Sequence, residues 1–479
     1  MTTVTADELA TRLERAATQL PAAIYKGVAH TGMVGVARIR GNASGRPGPN
    51  VITGDYRGSW KSVPLRIPYG AMCTLGTDRP QGRRLEWGFN GTDSLGRHYC
   101  VDVETEILTK DGWLRYDQIT DGAEALTLNM DSWRSEWQPI THLWHSTGQH
   151  DLILMENGSF SALTTPDHRW PVQRYYARKK EWVAEFRTTE RFTSACRIPR
   201  AVPCSSLPAA PTYDNALVEL VAWFWTEGSY EWGRKGGQRL VGVRPIGLTL
   251  SQSQKANPEN VDLIDRCLYE LFGPPGPFTE GGNWHRRLNE HTGVILYRLD
   301  RVAAWLIRDL VSFEDKTVSP RFIASLTEDQ LRLFLDRSMR ADGTESYSSV
   351  PVISQKSESR LRSFEMACAL VGQPTNTRVL SKRTQMVGTS LLGMKHCNPQ
   401  SNAARKDGRV GRSVFTRVRQ DTTIWCPTTP NGTWLARRRG AVYYTGNSQP
   451  PFPHVGPAID FISGTLHTQM RFAVAEALS

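Results

Sequence analysis

The sequence lacks the features of a secreted or membrane protein. Its eight cysteines are scattered and contain no Cys-x-x-Cys pair, which excludes a zinc ribbon and a disulfide framework and predicts a reducing compartment. The most apolar stretch, Ala216 to Trp225, has ten residues and includes Glu219, so no membrane partner is expected. The N-terminal region carries Asp7, Glu8 and Glu14 where a signal peptide needs an apolar run. We therefore expect a cytoplasmic protein.

The composition indicates a globular chain with several cores. The 479 residues are about three times the length of a usual domain. The excess of 58 Lys and Arg over 47 Asp and Glu gives a net charge of +11. This charge is compatible with a polyanionic partner but does not require one.

The texture of the sequence changes four times along the chain. Short alternating segments with turn signals begin at Cys100 and predict a β domain. Helical patterns dominate from about 215 to 393, and strand patterns return from 415 to 445. The two ends, 1–99 and 448–479, resemble neither part. This order predicts one domain inserted in a second, and that pair inserted in a third.

The helical region contains an internal repeat. The segments 217–228 and 331–343 both place apolar residues on one helical face and end in an acid followed by glycine. A Ser-Gln pair before a further helix follows each of them, at 251–252 and at 354–355. Two copies of one unit predict a pair of lobes related by a pseudo-twofold axis.

Groups able to rearrange a peptide bond stand at the borders of the β region. Cys100 begins it, Asn447 and Ser448 end it, and Thr165 and His168 form a Thr-x-x-His pattern between them. Cys and Ser can attack a carbonyl, an Asn side chain can cyclise and break the chain, and His can transfer a proton. A single Thr-x-x-His pattern is expected by chance in such a chain, and such a His is commonly structural.

The order of these motifs resembles that of inteins, which excise themselves from a precursor. Residues 100–112 resemble the first intein block, 161–168 the second and 442–448 the last. The resemblance covers 100–447, which is 348 of the 479 residues. It implies a multidomain chain in which an all-β, horseshoe-shaped splicing domain of the Hint type is formed by 100–205 and 415–447.

The resemblance also implies a mechanism of acyl transfer without a cofactor. Cys100 attacks the carbonyl of Tyr99, while Thr165 and His168 assist at the nitrogen of that bond. Ser448 then accepts the acyl group, cyclisation of Asn447 releases the intein, and an ester-to-amide shift joins Tyr99 to Ser448. All the reacting groups belong to one chain, so orientation supplies much of the rate.

Two departures from the usual intein pattern leave the first nucleophile open. Gly446 stands where inteins usually have a His before the terminal Asn, so assistance to Asn cyclisation comes from elsewhere or is weaker. Cys426, Trp170 and Thr445 together resemble the signature of the third mechanistic class, in which the internal Cys attacks first. Members of that class usually lack a nucleophile at the position of Cys100. Either cysteine can therefore make the first thioester, and Cys426 and Trp170 can also be ordinary core residues.

The two helices that end in acid and glycine resemble the LAGLIDADG motifs of homing endonucleases, which commonly lie inside inteins. The resemblance implies an α+β pseudo-dimer at 212–395 that cleaves double-stranded DNA, the intein-less allele of its own gene. Glu227 and Asp342 hold Mg²⁺, and Lys316 contacts phosphate or stabilises the transition state, as more loosely do Lys255 and Lys356. One position departs from this pattern, because close helix packing favours a small residue such as Ala222 where the second motif has Arg337. A decayed endonuclease is the alternative.

The flanks, 1–99 and 448–479, form the host protein of 131 residues. A long N-terminal helix, strand-like segments and a Pro-rich stretch before a final helix resemble small phage head–tail connector or tail-completion proteins. This implies a host with an α+β fold that assembles with phage head or tail proteins in the virion. An unspecified small α+β protein is the alternative. A splicing-defective structural precursor is the rival to splicing, and a free-standing endonuclease does not explain the ordered splicing motifs.

Overall fold

The structure is a computed structural model that describes residues 5–44, 54–68, 70–79, 82, 99–235, 238–239, 245–345, 349–399, 414–446 and 454–478. The chain divides into two compact units. One contains 1–90 and 449–479, and the other contains 91–448.

The first unit combines two long helices with a β-hairpin. Its elements are α1 (Ala6–Asn42), α2 (Asp55–Gly58), β1 (Lys61–Ile67), β2 (Gly70–Gly76) and a C-terminal helix (Gly456–Leu478). Thr5 and Glu8 form a capping box at the start of α1, which satisfies two free amide groups there. Glycines allow close contact on the other side of α1: a Cβ atom at Gly35 would lie 3.0 Å from Leu75 and 3.1 Å from Ile462.

The second unit has two parts. Strands from the beginning and the end of its sequence form the first, β-rich part, and the middle of its sequence forms the second. The N-terminal strands are β3 (Val101–Asp102), β4 (Glu106–Thr109), β5 (Gly112–Leu114), β6 (Glu124–Asn129), β7 (Arg134–Pro139), β8 (His142–Asn157), β9 (Phe160–Thr164), β10 (Arg169–Tyr176), β11 (Glu181–Thr188) and β12 (Cys196–Pro199). The middle of the unit contributes α3 (Asn215–Glu227), β13 (Gly228–Glu231), β14 (Arg234–Lys235), β15 (Gln238–Arg239), β16 (Gly247–Ser253), α4 (Pro258–Phe272), β17 (Trp284–Asn289), β18 (Val294–Leu299), α5 (Arg301–Leu306), α6 (Pro320–Ala324), α7 (Glu328–Asp342), β19 (Gly343–Glu345), β20 (Pro351–Gln355), α8 (Glu358–Leu370), β21 (Thr375–Ser381), β22 (Met386–Leu391) and β23 (His396–Cys397). The C-terminal strands are β24 (Val414–Thr428), β25 (Thr433–Arg438) and β26 (Ala441–Gly446). Short 3₁₀ helices lie at Tyr116–Gln118, Thr189–Arg191 and Phe278–Glu280.

A small closed barrel lies in the β-rich part. Strands β24, β3, β9 and β8 form it, and β8 pairs with β24 along the whole of β24. The pairing brings the start of the β region against its C-terminal part, because Val101 lies opposite Trp425 and Asp102 opposite Ile424. Strands that are far apart in sequence therefore meet at Cys100.

The middle of the unit contains the same arrangement twice. The first copy has the order α3, β13, β16, α4, β17, β18, and its sheet order is β13-β16-β18-β17. The second copy has the order α7, β19, β20, α8, β21, β22, and its strands follow the corresponding order β19-β20-β22-β21. The repeat that the sequence predicts is thus present as two units of one topology, with α3 packed against α7.

The second copy shares a sheet with the β-rich part. Strand β21 pairs with β26 through Asn376 and Ala441, so its four strands continue into β26, β25, β4, β6 and β7. One apolar core spans both parts and includes Leu126 and Tyr444 together with Phe364 of α8. The prediction of a multidomain, β-rich chain is confirmed, but the inserted region is joined to the strands around it by a sheet and a core.

No helix in the described ranges combines the length and the hydrophobicity that a membrane span requires.

Candidate functional site

Two cysteines face each other across paired strands. One residue beyond the paired Val101 and Trp425 lie Cys100 and Cys426, whose thiols are within hydrogen-bond reach of each other. Both side chains are buried, and Leu152, Leu163 and Ile424 pack around them. The fold therefore brings two thiols together that lie more than 300 residues apart in the sequence.

The Cys100 thiol lies in a buried position beside a second thiol. Burial raises the pKa of Cys100 well above its usual range, and the neighbouring Cys426 raises it further. The Cys426 thiol lies 3.6 Å from the carbonyl oxygen of Pro427. Because a thiolate is the attacking species, this raised pKa disfavours attack by Cys100.

A buried ion pair fixes the strand that carries Cys100. The guanidinium of Arg438 donates to both carboxylate oxygens of Asp102, at 3.1 and 3.0 Å. The indole of Trp425 donates to the carbonyl oxygen of Asp102 at 2.9 Å. These contacts join β3 to β24 and β25 and set the register of the two thiols.

Thr165 contacts the peptide bond that precedes the β region. The amide of Cys100 donates to Thr165 Oγ1 at 3.1 Å, and the amide of Thr165 donates to the carbonyl oxygen of Cys100 at 3.1 Å. The nitrogen of the Tyr99–Cys100 bond therefore has a side-chain oxygen beside it. Tyr99 itself is buried.

His168 lies fully buried beside the same bond. Its Nε2 atom lies 2.6 Å from Thr445 Oγ1. Burial lowers its pKa to about 3, although the Tyr99 backbone lies near enough to raise it. The Nδ1 atom is buried and forms no hydrogen bond of ordinary geometry with the described residues. The imidazole is neutral at ordinary pH.

Trp170 holds the histidine ring in place. It packs edge-on against His168 with 5.1 Å between ring centroids, and its indole nitrogen donates to Thr189 Oγ1 at 2.8 Å. The amide of Thr189 donates to the carbonyl oxygen of His168 at 2.8 Å. The structure thus brings Thr165, His168, Trp170 and Thr445 to one place.

The buried neutral His168 makes stability depend on pH. In the unfolded chain it binds a proton below about pH 6.5, whereas in the folded chain it stays neutral down to about pH 3. The contribution of His168 to the free energy of unfolding is therefore at its maximum above pH 6.5 and falls by about 1.4 kcal/mol per pH unit below it. The test measures urea unfolding of a protein that carries Cys426→Ala and Asn447→Ala, with and without the further substitution His168→Gln. Between pH 6.5 and 5, the free energy of unfolding should decrease by about 2 kcal/mol more in the protein that keeps His168. Equal pH slopes in the two proteins would contradict the burial of a neutral imidazole.

Gly446 has no room for a side chain. A Cβ atom there would lie 2.5 Å from the carbonyl oxygen of Arg169 and 3.1 Å from its carbonyl carbon. These atoms belong to the backbone of β10, which cannot move aside as a flexible side chain can. The histidine usual at this position in inteins is therefore sterically excluded here. Asn447 and Ser448, which follow it, lie outside the described residues.

Adding a methyl group at this position should displace the end of β26. If the chain splices as proposed below, we expect Gly446→Ala to slow the release of the C-terminal flank at least about tenfold, since the clash displaces the end of β26, which leads into the bond that breaks. Gly464→Ala is the matched control, because no atom lies within 4 Å of its added carbon. The measurement is the time course of products by gel densitometry. An unchanged rate in Gly446→Ala would show that the backbone there adapts without cost.

Two carboxylates meet at the ends of the paired helices. Glu227 is the last residue of α3 and Asp342 the last of α7. Burial, and then the charge of Asp342, raises the pKa of Glu227 to about 7. Burial also raises the pKa of Asp342, whose carboxylate accepts a hydrogen bond from Gln355 at 2.5 Å. The two acids interact electrostatically in a partly desolvated position.

Lys316 lies beside the two carboxylates. Its Nζ donates to the carbonyl oxygens of Gly228 at 2.5 Å and Thr226 at 3.3 Å, just past the end of α3. Burial lowers its pKa to about 8 against the opposing charges of Asp342 and Glu227. Its backbone lies in the left-handed region, with φ of 61°. Lys356 is near enough to influence Lys316, whereas Lys255 is exposed beside Gly293.

Arg337 does not prevent the helices from packing. Its guanidinium donates to both carboxylate oxygens of Glu219 on α3, at 2.8 and 3.2 Å. Ala222 is fully buried, and the indole of Trp225 donates to Ser338 at 2.9 Å across the same interface. The expectation that Arg337 disfavours close packing of α3 and α7 is therefore wrong, because the ion pair with Glu219 accommodates the long side chain.

The carboxylate pair suits a divalent cation. The described residues contain no cluster of three or more His, Cys, Asp or Glu able to hold a metal. Glu227 and Asp342 nevertheless supply two desolvated oxygen donors whose mutual repulsion a cation relieves, and Mg²⁺ accepts one or two carboxylates with water completing its shell. These two residues fit the ion that the sequence pattern implies.

Several supporting residues were not singled out in the sequence. Asp102 and Arg438 fix the thiol register, Thr189 fixes His168 and Trp170, and Gln355 and Arg360 act on Asp342. The run Arg437-Arg438-Arg439, which begins in β25 and continues one residue past its end, was an available signal for Arg438 alone.

No protein-family model and no curated protein matches the chain. Among solved structures, the homing endonuclease I-DmoI in complex with DNA and Mn is similar over 37% of this chain and 89% of its own, with 11% identity and a TM-score of 0.28. Mesophilic variants of I-DmoI are similar over 37% of this chain and 83% of theirs, with the same identity and TM-score. An AceL NrdHF class 3 split intein, in a glutathione-linked, splice-inactive variant, is similar over 21% of this chain and 63% of its own, with 16% identity and a TM-score of 0.19.

Proposed function

We propose that the chain is a self-splicing precursor that excises residues 100–447 and joins Tyr99 to Ser448. The observation that carries the proposal is the meeting of Cys100, Cys426, Thr165 and His168 at the Tyr99–Cys100 bond. Distant segments of the chain converge on one peptide bond with a nucleophile, a contact to its nitrogen and a buried imidazole. A structural role alone does not account for that combination.

Cys426 makes the first attack in this proposal. Its thiol lies within hydrogen-bond reach of the thiol of Cys100, the residue that follows the Tyr99 carbonyl, and burial raises the pKa of the Cys100 thiol. The Cys426 sulfur bonds to the carbonyl carbon of Tyr99, the carbon–nitrogen bond to Cys100 breaks, and the Cys100 amine leaves with the thiol proton. The product is a thioester between Tyr99 and Cys426.

Thr165 and His168 assist that step. Thr165 Oγ1 holds the leaving nitrogen through the hydrogen bond from the Cys100 amide. In the tautomer in which Thr445 donates to Nε2, the Nδ1 hydrogen of His168 faces the Tyr99 backbone. It can then stabilise charge that develops on the Tyr99 carbonyl oxygen, as an oxyanion donor does. Trp170 keeps the ring in this orientation.

The later steps need no cofactor. Ser448 attacks the thioester and takes the acyl group, which frees the Cys426 thiol. Asn447 cyclises through its side-chain amide, which breaks its bond to Ser448, and the ester then shifts to an amide. Gly446 has no side chain, so groups other than a neighbouring histidine assist the cyclisation. The all-β horseshoe of the Hint type remains a prediction.

The joined peptide provides the test of this proposal. Tandem mass spectrometry of the digested product should find a peptide in which Tyr99 is followed directly by Ser448. Cleavage without joining yields the two flanks with free ends at these residues. A digest that contains only the uninterrupted Tyr99–Cys100 and Asn447–Ser448 bonds favours the splicing-defective rival, a precursor that acts as a phage structural protein.

We also propose that the two repeated units are a DNA endonuclease of the LAGLIDADG type, arranged as a pseudo-dimer around α3 and α7. A bound Mg²⁺ supplies neutralisation of the scissile phosphate and activation of water. Glu227 and Asp342 hold the ion, and Lys316 places a positive charge beside them. The partner is double-stranded DNA of the intein-less allele, in which the codons for Tyr99 and Ser448 are adjacent.

One face of the first sheet supports DNA binding. Ile295 and Tyr297 of β18 are buried against the helices. Arg298, which lies between Tyr297 and Leu299, is exposed on the opposite face. Arg298 forms a bidentate pair with Glu231 of β13, and Arg287 of β17 is also exposed. Exposed arginines on a sheet face can contact phosphates. Incubation of the protein with plasmid carrying the joined allele and Mg²⁺ should linearise that plasmid alone.

The host role is proposed from the flanks themselves. In the first unit, one face of the β1–β2 hairpin exposes Val63, Leu65 and Met72, and exposed apolar groups of this kind commonly mark interaction surfaces. We propose that the joined host assembles with copies of itself and with phage head or tail proteins. The cytoplasm and the virion remain its predicted locations. The native mass of the purified spliced product tests self-assembly: a multiple of the monomer supports it, and a monomer opposes it.

A further inference from the structure

The proposed endonuclease region, residues 212–395, contacts the strands next to the proposed splicing site. Thr377 of β21 donates its amide hydrogen to the carbonyl oxygen of Gly440 at 2.9 Å, at the turn between β25 and β26. Gly440 has φ of 78°, and a Cβ atom there would lie 1.9 Å from the Thr377 oxygen. Only glycine permits this approach. The turn is therefore shaped to receive β21.

A buried charge cluster joins the same two parts. Arg437 of β25 pairs with Glu106 at 2.6 Å, with Glu358 at 2.9 Å and with Glu365 at 2.7 Å. The Glu365 side chain is fully buried on α8, and the Thr377 hydroxyl donates to it in a short hydrogen bond. Two of the three carboxylates around Arg437 therefore come from the endonuclease region.

Arg437 needs these partners because it remains charged in the core. Burial opposes its charge, but the carboxylates of Glu365, Glu106 and Glu358 outweigh that effect and raise its pKa. Removing one partner of a buried pair leaves a charge without compensation and strongly destabilises its position. Of the two partners from α8, Glu358 is half-exposed, so water can replace it, whereas water cannot replace Glu365.

The strand that carries Arg437 leads directly to the splicing site. Arg437 lies opposite Val442 in the β25–β26 pair, and Trp434 lies opposite Thr445. Thr445 in turn lies 2.6 Å from His168. One end of the hairpin is thus anchored to α8, and the other end orients the buried imidazole.

We propose that Glu365, a residue of the endonuclease region, is a positioning residue for splicing that acts through Arg437 and the β25–β26 hairpin. The proposal rests on the proposed splicing function. It makes the inserted region part of the splicing apparatus as well as a nuclease, so splicing depends on the integrity of α8.

The test compares three variants of the full chain. Glu365→Gln removes the buried charge, and Glu358→Gln removes the half-exposed charge from the same arginine. Leu268→Ala removes most of a fully buried side chain on α4. This change destabilises the first repeated unit and leaves the contacts of Arg437 in place. Splicing rates are measured well below the unfolding temperature of each protein, together with hydrogen exchange of residues 433–446 by mass spectrometry.

We expect Glu365→Gln to slow splicing and to speed amide exchange in 433–446, each by at least about tenfold. Glu358→Gln and Leu268→Ala should stay within about threefold of the wild type in both. Equal effects of Glu365→Gln and Leu268→Ala would overturn the proposal, because a general loss of stability then explains them. If the wild type does not splice, the splicing function fails and with it the role in splicing, whereas the exchange of 433–446 still decides whether Glu365 stabilises the β25–β26 hairpin.

Discussion

We expect Cys426→Ala to slow splicing at least about a thousandfold and Cys100→Ala to leave the splicing rate within about threefold of the wild type. The reason lies in the pairing of β3 and β24, which brings the two thiols together next to the Tyr99–Cys100 bond, where burial raises the pKa of Cys100. In the proposed mechanism, removing Cys426 takes away the group that forms the thioester. Removing Cys100 takes away a thiol that this mechanism does not use. The measurement is the first-order rate of product appearance after dilution from denaturant.

Thiol treatment adds a second measurement to the same variants. Excess dithiothreitol should release residues 1–99 from Cys100→Ala but not from Cys426→Ala, because only a thioester exchanges readily with a thiol. Cys267→Ala is the matched control, since it removes a buried thiol on α4. The opposite pattern, with Cys100 essential and Cys426 dispensable, would show that the usual intein route operates. Loss of activity in both variants would indicate that the acyl group passes from one thiol to the other.

We expect Glu227→Gln and Asp342→Asn each to lower the proposed DNA cleavage at least about a hundredfold and to leave splicing unchanged. Each substitution removes one anionic oxygen donor from the proposed cation site but keeps the size of the side chain. The splicing groups are unaffected, because Thr165, His168 and Cys426 lie on other elements. The measurement is the single-turnover rate of cleavage of the joined-allele duplex in Mg²⁺, beside the splicing rate of the same preparation.

Asp309→Asn is the control for these two variants. It removes a carboxylate whose side chain is 81% exposed, and it should cleave DNA at the wild-type rate. Cleavage that persists in both Glu227→Gln and Asp342→Asn would show that other groups hold the metal. A wild-type protein that binds the duplex but does not cut it would identify a decayed endonuclease, in which the two acids serve only to end their helices.

Local patterns in the sequence predicted much of the organisation. The alternation that begins at Cys100 predicted strands, and the acid-glycine endings of 217–228 and 331–343 predicted the repeated unit. These features depend on neighbours within one or two turns of helix or along one strand. The copies at α3 and α7 therefore appear where the sequence places them, with closely matching ends.

Contacts between distant segments were not predictable in the same way. The sequence suggested Cys100 and Cys426 as alternative nucleophiles, but only the strand register shows that they face each other. Arg337 looked incompatible with helix packing, since its partner Glu219 lies 118 residues away. Gly446 looked like a missing histidine, whereas the structure shows that the Arg169 backbone excludes any side chain there. Each case depends on a partner that local patterns cannot identify.

The intact mass of the chain expressed at full length tests the central claim most directly. Residues 100–447 are 348 of the 479, so splicing divides the 53.7 kDa precursor into species of about 39 and 15 kDa. We expect both masses, since the smaller one exists only if the two flanks have been joined. A single species of 53.7 kDa after prolonged incubation under reducing conditions would contradict splicing. Two separate flank fragments would show cleavage without ligation.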